Sequence, residues 1–139
     1  DYLVQMKHNL KVFIDGACQP NPGSGGVGIY MTYNDIEEKI SSPLEGIVTN
    51  NIAEYEALIF SLETIIKKNE SFERIDIFSD SQLICMQFNK KWKCKEQNLS
   101  ILLIKAQALR SKIKCGFSLS YIPREQNTVA DKLAKEAIS

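Results

Sequence analysis

The sequence predicts an α/β domain in which helices cover a mixed β-sheet. Strand-like and helix-like segments follow one another in the order β-β-β-α-β-α-α-β-α, which is typical of layered α/β domains. The first three strands are close neighbours in the chain, which favours an antiparallel meander. The 139 residues, 44% of them hydrophobic and 24% charged, suit one globular domain with its own core. We therefore expect a single domain over residues 1–139.

The first three strands are recognised by β-branched and aromatic residues between turn signals. The run KVFIDG at 11–16 predicts a central strand that is buried on both faces. The segment CQPNPGSGG at 18–26 is dense in proline, glycine and asparagine, and it predicts a loop. Strands are then predicted at 27–34 and, more weakly, at 36–46.

The remaining segments show either the periodicity of a helix, with apolar residues every three to four positions, or that of a strand, with apolar residues at every second position. An apolar stripe at helical spacing predicts a helix over 51–68, and the alternation of Ile75 and Ile77 predicts a strand over 74–80. Two helices, a strand and a final helix are then predicted at 81–91, 98–113, 116–123 and 128–138.

Composition and charge narrow the classes of protein. The net charge is zero, so any basic surface that binds nucleic acid must be local. Four cysteines without a C-x-x-C pair, and a single histidine, argue against a zinc site and predict free thiols in a reducing cytoplasm. We expect no signal peptide and no membrane span, and we expect residues 1–5 to be an expression-vector remnant before a natural start at Met6.

Four acidic residues stand at predicted strand ends or in the first turns of predicted helices: Asp15, Glu54, Asp80 and Asp131. In α/β sheets, functional groups gather at strand ends and at the helix starts that adjoin them. The joint placement therefore predicts a cluster of carboxylates, which suits divalent cations and metal-dependent phosphodiester hydrolysis. Helix geometry does not decide between Glu54 and Glu56.

Each acid also has an ordinary structural alternative. Asp15 suits a turn before a glycine. Glu54 suits a capping box with Asn51, and Asp80 suits the N-cap of the next helix. Asp131 stands near the start of the last predicted helix, where it also suits a capping arrangement.

Four motifs together resemble those of type 1 ribonuclease H over about residues 11–137. They are IDGACQPNPGSGGVG, TNNIAEYEAL, SDSQLI and REQNTVADKLAKEA, in that order. The resemblance implies the ribonuclease H-like fold, a five-stranded mixed sheet with three antiparallel strands first and helices on both faces. It also implies an endonuclease that hydrolyses the RNA strand of an RNA–DNA hybrid and leaves 5′-phosphate and 3′-hydroxyl ends.

By motif, the resemblance implies that Asp15, Glu54, Asp80 and Asp131 are the catalytic metal ligands. They would hold two Mg²⁺ ions roughly 4 Å apart once substrate is bound, and Mn²⁺ would substitute. Repulsion between the carboxylates implies weak metal binding before that. Many family members carry a mobile histidine before the last aspartate. Here Arg124 looks like the arginine of the branch that lacks this histidine, with an ordinary surface arginine as the alternative.

The resemblance also implies a set of contacts to the hybrid. Asn21, Asn51 and Gln82 match side chains that read the minor groove and its 2′-hydroxyls. Backbone groups near Cys18 and Gly23 match positions that meet the RNA strand. Helix capping is the alternative for the amide side chains.

Two further groups match parts of the family's nucleic-acid surface, the first of them on the DNA strand. Thr49 and Asn50 match positions near its phosphates. The short run KKWKCK stands where some relatives have a long basic insertion, and Lys91, Trp92 and Lys93 would supply charge and stacking there. A solvated helix end with a docked tryptophan is the alternative.

Other functions remain open at this point. The chain could be a catalytically weak or inactive module that binds hybrids or double-stranded RNA. It could be a DNA-cutting nuclease of the same superfamily, or the ribonuclease H domain of a retroelement polyprotein. Cleavage of double-stranded RNA is also open. We expect a cytoplasmic monomer that does not associate with membranes.

Overall fold

The computed structural model describes residues 8–138, which form a five-stranded sheet and four α-helices. The strands are β1 (His8–Gln19), β2 (Gly23–Tyr33), β3 (Ile36–Val48), β4 (Phe72–Ser79) and β5 (Gly116–Tyr121). The helices are α1 (Asn50–Lys67), α2 (Gln82–Phe88), α3 (Gln97–Arg110) and α4 (Thr128–Ile138), with a 3₁₀ turn at Arg124–Gln126 before α4. This order confirms the predicted βββαβααβα arrangement.

The sheet has the strand order β3-β2-β1-β4-β5. β1 pairs with β2, and β2 with β3, in antiparallel fashion, whereas β4 is parallel to both β1 and β5. In this register Ile14 of β1 stands opposite Ser79 of β4. The carboxyl ends of the central strands therefore meet at one edge of the sheet.

The two faces of β1 are covered differently. Leu10, Val12 and Ile14 are fully buried and belong to the main core with residues of α1 and α3. On the opposite face Lys11 is exposed and Phe13 is half-buried. The prediction that this strand is buried on both faces is therefore wrong, because α4 reaches only part of the second face, where it packs on β1, β2 and β3.

Two glycines let the helices approach the sheet closely. A Cβ atom on Gly16 would stand 2.1 Å from the carbonyl oxygen of Ala53 in α1. A Cβ atom on Gly28 would stand 2.2 Å from the carbonyl oxygen of Ala130 in α4. Real side chains cannot occupy such positions, so both helices pack directly on backbone at these points.

The strands β1 and β2 are longer than the sequence predicts. β1 extends to Gln19 and β2 begins at Gly23, so residues 20–22 form the whole connection between them. Cys18 and Gly23 therefore lie in strands and not in a loop. Glycine and proline content is typical of loops, but here backbone pairing with neighbouring strands decides the structure.

Candidate active site

Asp15 and Asp80 come together because their strands are parallel neighbours. The pairing of Ile14 with Ser79 brings the next residue of each chain segment to the same edge of the sheet. Asp15 is only 5% exposed. A buried carboxylate at a strand end needs a partner or a cation, because its desolvation is costly.

Glu54 reaches the same place from the first turns of α1. The Gly16 N–H donates a hydrogen bond of 2.7 Å to Glu54 Oε1. The N-cap of α1 is Thr49, whose hydroxyl accepts from the Ile52 N–H at 3.2 Å. The capping box of Asn51 with Glu54 is therefore wrong, because the Glu54 carboxylate points across to β1.

Glu56 is not a member of this cluster, and different charged residues act on it. Its pKa is raised by burial, and the nearby charges that act on it are those of Lys105 and Glu63. The structure thus decides between the two glutamates in favour of Glu54.

Asp80 is free to join the cluster because other residues cap α2. The Ser81 hydroxyl accepts from the Ile84 N–H at 3.4 Å, and Ser79 Oγ accepts from the Ser81 N–H at 3.0 Å. The N-cap alternative for Asp80 is therefore wrong.

Asp131 approaches from the opposite side, in the first turn of α4. Its N–H donates to the carbonyl oxygen of Asn127 at 3.1 Å, which opens the helix. Its carboxylate is 3.0 Å from Lys135 Nζ and is hydrogen-bonded to the Asp15 carboxyl group. Asp131 thus lies at the rim of the cluster, in direct contact with the Asp15 carboxyl.

The donor set fits a divalent cation. Asp15, Glu54 and Asp80 each offer a carboxylate oxygen, and these three atoms lie within 4.8 Å of one another. Carboxylate oxygens are the ligands that Mg²⁺ and Mn²⁺ prefer, and a separation of this size allows one ion to contact more than one of them.

The cluster is electrostatically strained without a cation. Burial raises the pKa of Asp15 far above its ordinary value, and the charges of Glu54 and Asp80 raise it further. Burial also raises the pKa of Glu54, although the hydrogen bond from the Gly16 N–H opposes this. Close like charges in a low dielectric favour the neutral acids, and a cation would reverse that preference.

Asp131 behaves differently from the other acids. Partial burial raises its pKa, but hydrogen bonds from Lys135 and Asp15 and the charge of Arg124 outweigh burial, so its pKa falls below its ordinary value. The same Arg124 charge lowers the pKa of Glu54. Arg124 is exposed and starts the 3₁₀ turn before α4.

Three of the predicted substrate contacts form one hydrogen-bonded group. Asn21 Oδ1 accepts from the Asn50 N–H at 3.2 Å, and Cys18 Sγ donates to Asn50 Oδ1 at 3.2 Å. These bonds tie the β1–β2 connection to the start of α1, beside Thr49. Asn21 therefore caps α1 from another segment of the chain, and both Asn21 and Asn50 still face solvent.

The other predicted contacts are dispersed. Asn51 and Gln82 are exposed in the first turns of α1 and α2, whereas Gly23 is buried at the start of β2. Lys91, Trp92 and Lys93 lie on the connection between α2 and α3, and all are exposed. Trp92 is 44% exposed, so the alternative of a docked tryptophan is wrong.

Sequence reasoning missed three residues of the site: Gly16, Lys135 and Asn127. Gly16 gives the N–H that holds Glu54, and Lys135 pairs with Asp131 one helical turn away. Asn127 is 1% exposed, and its side chain donates to the carbonyl oxygen of Ile14. The preference of asparagine for helix N-caps was a usable signal for Asn127, but no local pattern indicates its partner.

Comparisons with known proteins identify the family to which this fold and sequence are similar. A family profile described as "Reverse transcriptase-like" matches residues 13–137. Ribonuclease HI of Halobacterium salinarum is 33% identical over 132 residues, covering 93% of this chain and 64% of that protein. The crystal structure of RNase H1 from this archaeon matches with a TM-score of 0.85, covering 93% of this chain and 96% of that one.

Two further similar proteins extend the comparison. Ribonuclease H of Francisella philomiragia is 31% identical, and the match covers 96% of this chain and 93% of that protein. LC11-RNase H1, crystallised in complex with an RNA/DNA hybrid, is 31% identical with a TM-score of 0.84, covering 93% of this chain and 96% of that one. By contrast, the chain spans 36% of the length of the Mycobacterium proteins that it matches at 34% identity. The chain belongs to the ribonuclease H family.

Proposed function

We propose that this chain is an endoribonuclease that hydrolyses the RNA strand of RNA–DNA hybrids and leaves 5′-phosphate and 3′-hydroxyl ends. The observation that carries the proposal is the meeting of Asp15, Glu54 and Asp80 within 4.8 Å at the edge of the sheet. The hybrid in the structure of LC11-RNase H1 supports the class of substrate.

The four acids would act as metal ligands. Asp15, Glu54 and Asp80 would hold the cations jointly, and Asp131 would contribute from the rim beside Asp15. Two bound Mg²⁺ ions, or Mn²⁺ in their place, would activate the attacking water and stabilise the leaving 3′ oxygen. The Gly16 N–H keeps one Glu54 oxygen fixed, so that carboxylate does not have to be ordered when substrate arrives.

Arg124 and the polar groups around the cluster would bind the nucleic acid. A guanidinium cannot serve as a general base near neutral pH, so Arg124 would hold a phosphate or assist product release. Cys18, Asn21, Asn50 and Thr49 are already held together at the start of α1, where they would meet the backbone of the hybrid.

The remaining substrate contacts would widen this surface. Gly23, Asn51 and Gln82 would contact the minor groove, and Lys91, Trp92 and Lys93 would hold a phosphate backbone.

We propose further that the protein works as a cytoplasmic monomer. Its four cysteines are unpaired thiols, which suits a reducing compartment. None of the helices in residues 8–138 combines the length and the apolarity that crossing a bilayer demands. Double-stranded RNA is a second substrate to be tested, because an A-form helix presents the same 2′-hydroxyls.

Cleavage of end-labelled substrates tests the proposal. Hybrid, duplex DNA and duplex RNA are compared in Mg²⁺ and in Mn²⁺, with Asp80→Asn as the active-site variant. Asp76→Asn is the matched control, since Asp76 lies in β4, the strand that Asp80 follows, but pairs with Arg74 and Ser118. We expect hybrid cleavage that is lost only in Asp80→Asn. Binding of hybrid without turnover in either metal would instead identify a binding module.

A further inference from the structure

Asn127 occupies the junction between the 3₁₀ turn and α4. Its N–H donates to the carbonyl oxygen of Arg124 at 2.9 Å, and its own carbonyl oxygen accepts from the Asp131 N–H at 3.1 Å. A single residue therefore closes the turn that carries Arg124 and opens the helix that carries Asp131.

The side chain of Asn127 connects this junction to β1. Its Nδ2 donates to the carbonyl oxygen of Ile14 at 2.9 Å, between residues 113 positions apart in the chain. Ile14 immediately precedes Asp15, and it stands in register with Ser79, which immediately precedes Asp80. The hydrogen bond thus fixes α4 to the sheet directly beside the point where the acids converge.

Asn127 remains buried at a cost in stability. Its side chain is 1% exposed. Among the buried side-chain oxygen and nitrogen atoms of residues 8–138, its Oδ1 is the one without a hydrogen-bond partner. Leaving such an acceptor unsatisfied destabilises the folded state, because the atom loses its bonds to water and gains none in the protein. An apolar residue of similar size would avoid that cost, so the Nδ2 donor is the part of the side chain that requires an amide here.

We propose that Asn127 is a positioning residue that sets the metal affinity of the acidic cluster by fixing Asp131 against Asp15. Helix α4 lies directly on the β2 backbone at Gly28, and the Ser41 hydroxyl of β3 donates to the carbonyl oxygen of Leu133 in the same helix. The bond from Asn127 to Ile14 adds a third contact with the sheet, at the end of α4 that carries Asp131. Hydrogen bonds that orient ligands in this way typically change metal affinity 10- to 100-fold when they are removed.

This inference rests on the proposed metal site, and its test is metal binding by the free protein. Calorimetric titration with Mn²⁺ alone compares the wild-type protein with Asn127→Ala and with Asn127→Leu, which keeps a side chain of similar size and no charge but loses the donor. The matched control is Asn89→Ala, because Asn89 Nδ2 donates to the carbonyl oxygen of Leu119 at the same 2.9 Å, on β5. We expect both Asn127 variants to bind Mn²⁺ roughly 10- to 100-fold more weakly. The Asn89 variant should bind it as the wild type does.

A second measurement on the wild-type protein is independent of how the variants fold. Coupling between two sites is reciprocal, so a bond that strengthens metal binding must itself be strengthened by the metal. The side-chain amide protons of Asn127 are followed by NMR with and without saturating Mg²⁺, which is diamagnetic and leaves their signals sharp. We expect their exchange with solvent to slow roughly tenfold or more when Mg²⁺ is bound.

Two results would overturn the positioning role. One is equal Mn²⁺ affinity in wild type and in folded Asn127 variants, and the other is exchange at Asn127 that Mg²⁺ does not alter. Hybrid cleavage in the same preparations separates this inference from the proposed function. Cleavage with unchanged affinities would support the proposed function and exclude the role of Asn127. Altered affinities without cleavage would support the role of Asn127 and exclude the proposed function.

Discussion

The Gly16 N–H and the Glu54 carboxylate, 38 residues apart in the chain, form a hydrogen bond of 2.7 Å that links the end of β1 to α1. The bond holds Glu54 beside Asp15, the residue before Gly16. It requires a glycine, because any Cβ at this position would overlap the backbone of Ala53 and Glu54. The geometry of the acidic cluster therefore depends on a residue that carries no functional group.

Gly16→Ala should damage both stability and activity. The added methyl group would stand 2.1 Å from the Ala53 carbonyl oxygen, which forces α1 away from β1. We expect a loss of roughly 1–3 kcal/mol in the free energy of unfolding, seen as a lower midpoint in urea, together with weaker Mn²⁺ binding. Gly116→Ala is the control, because the nearest atom to its added methyl group is the end of the flexible Arg74 side chain, at 3.0 Å. Equal midpoints in the two variants would contradict this.

The metal-free protein should lose stability as the pH rises. In the folded protein the pKa values of Asp15 and Glu54 lie above their ordinary values of 3.8 and 4.5. The folded state therefore holds protons that the unfolded chain has released, so the stabilisation from these two groups is complete below about pH 4 and declines as the pH rises through the raised pKa values. Groups such as Asp131, whose pKa is lowered, act in the opposite direction and at more acidic pH.

Thermal melts in EDTA between pH 5 and pH 8 measure this effect. We expect Asp15→Asn to melt a few degrees higher than the wild type at pH 8, since asparagine is neutral without the proton that Asp15 must take up on folding. The gap should narrow at pH 5 and when Mg²⁺ is added to the wild type. A lower melting temperature for Asp15→Asn at pH 8 would show that the Asp15 carboxylate is not under strain.

Arg124→Ala should slow cleavage and move its pH dependence. Removing the guanidinium removes the charge that lowers the pKa of Glu54 and Asp131. We expect kcat to fall roughly tenfold, about 1.4 kcal/mol, and the acidic limb of the pH–rate profile to move to higher pH. Arg124→Lys keeps the positive charge and should restore the position of that limb. A pH–rate profile that is unchanged in Arg124→Ala would show that Arg124 is an ordinary surface arginine.

Removing Lys91 and Lys93 together should weaken binding of the hybrid without slowing the chemical step. For every phosphate that a lysine no longer neutralises, the plot of log affinity against log salt concentration should become shallower by roughly 0.7–0.9. The double alanine variant should therefore show a higher KM, an unchanged kcat and a shallower salt dependence. Alanine at Lys112 and Lys114, which are exposed just before β5, is the control with the same change in charge. Identical salt slopes for the two pairs would exclude the Lys91 surface from binding.

The succession of strands and helices along the chain could be predicted because it depends on local patterns. The alternation in β4 and the apolar stripe of α1 follow from periodicity, and each acid stands at the end of such a pattern. The acid on α1 was decided only by the fold, because Glu54 and Glu56 border the same buried stripe. What separates them is the Gly16 N–H, which comes from a distant strand.

Long-range interactions account for the rest of what the sequence left undetermined. The bond between Asn127 and Ile14 joins residues 113 positions apart, and no spacing rule connects them. The extension of β1 to Gln19 and of β2 from Gly23 results from pairing that overrides a composition typical of loops. The helix caps were misassigned for a related reason. Several neighbouring Ser, Thr, Asn and Asp residues are equally suitable, and tertiary packing selects Thr49 and Ser81.

The most direct test of the shared metal site is single-turnover cleavage of a labelled RNA–DNA hybrid by the wild-type protein and by Asp15→Asn, as Mg²⁺ is titrated. We predict that the wild type cuts the RNA strand only when a divalent cation is present. Asp15→Asn, shown to be folded by circular dichroism, should be at least roughly 1,000-fold slower, about 4 kcal/mol in the barrier. Cleavage by Asp15→Asn at the wild-type rate, or by the wild type in EDTA, would contradict the account.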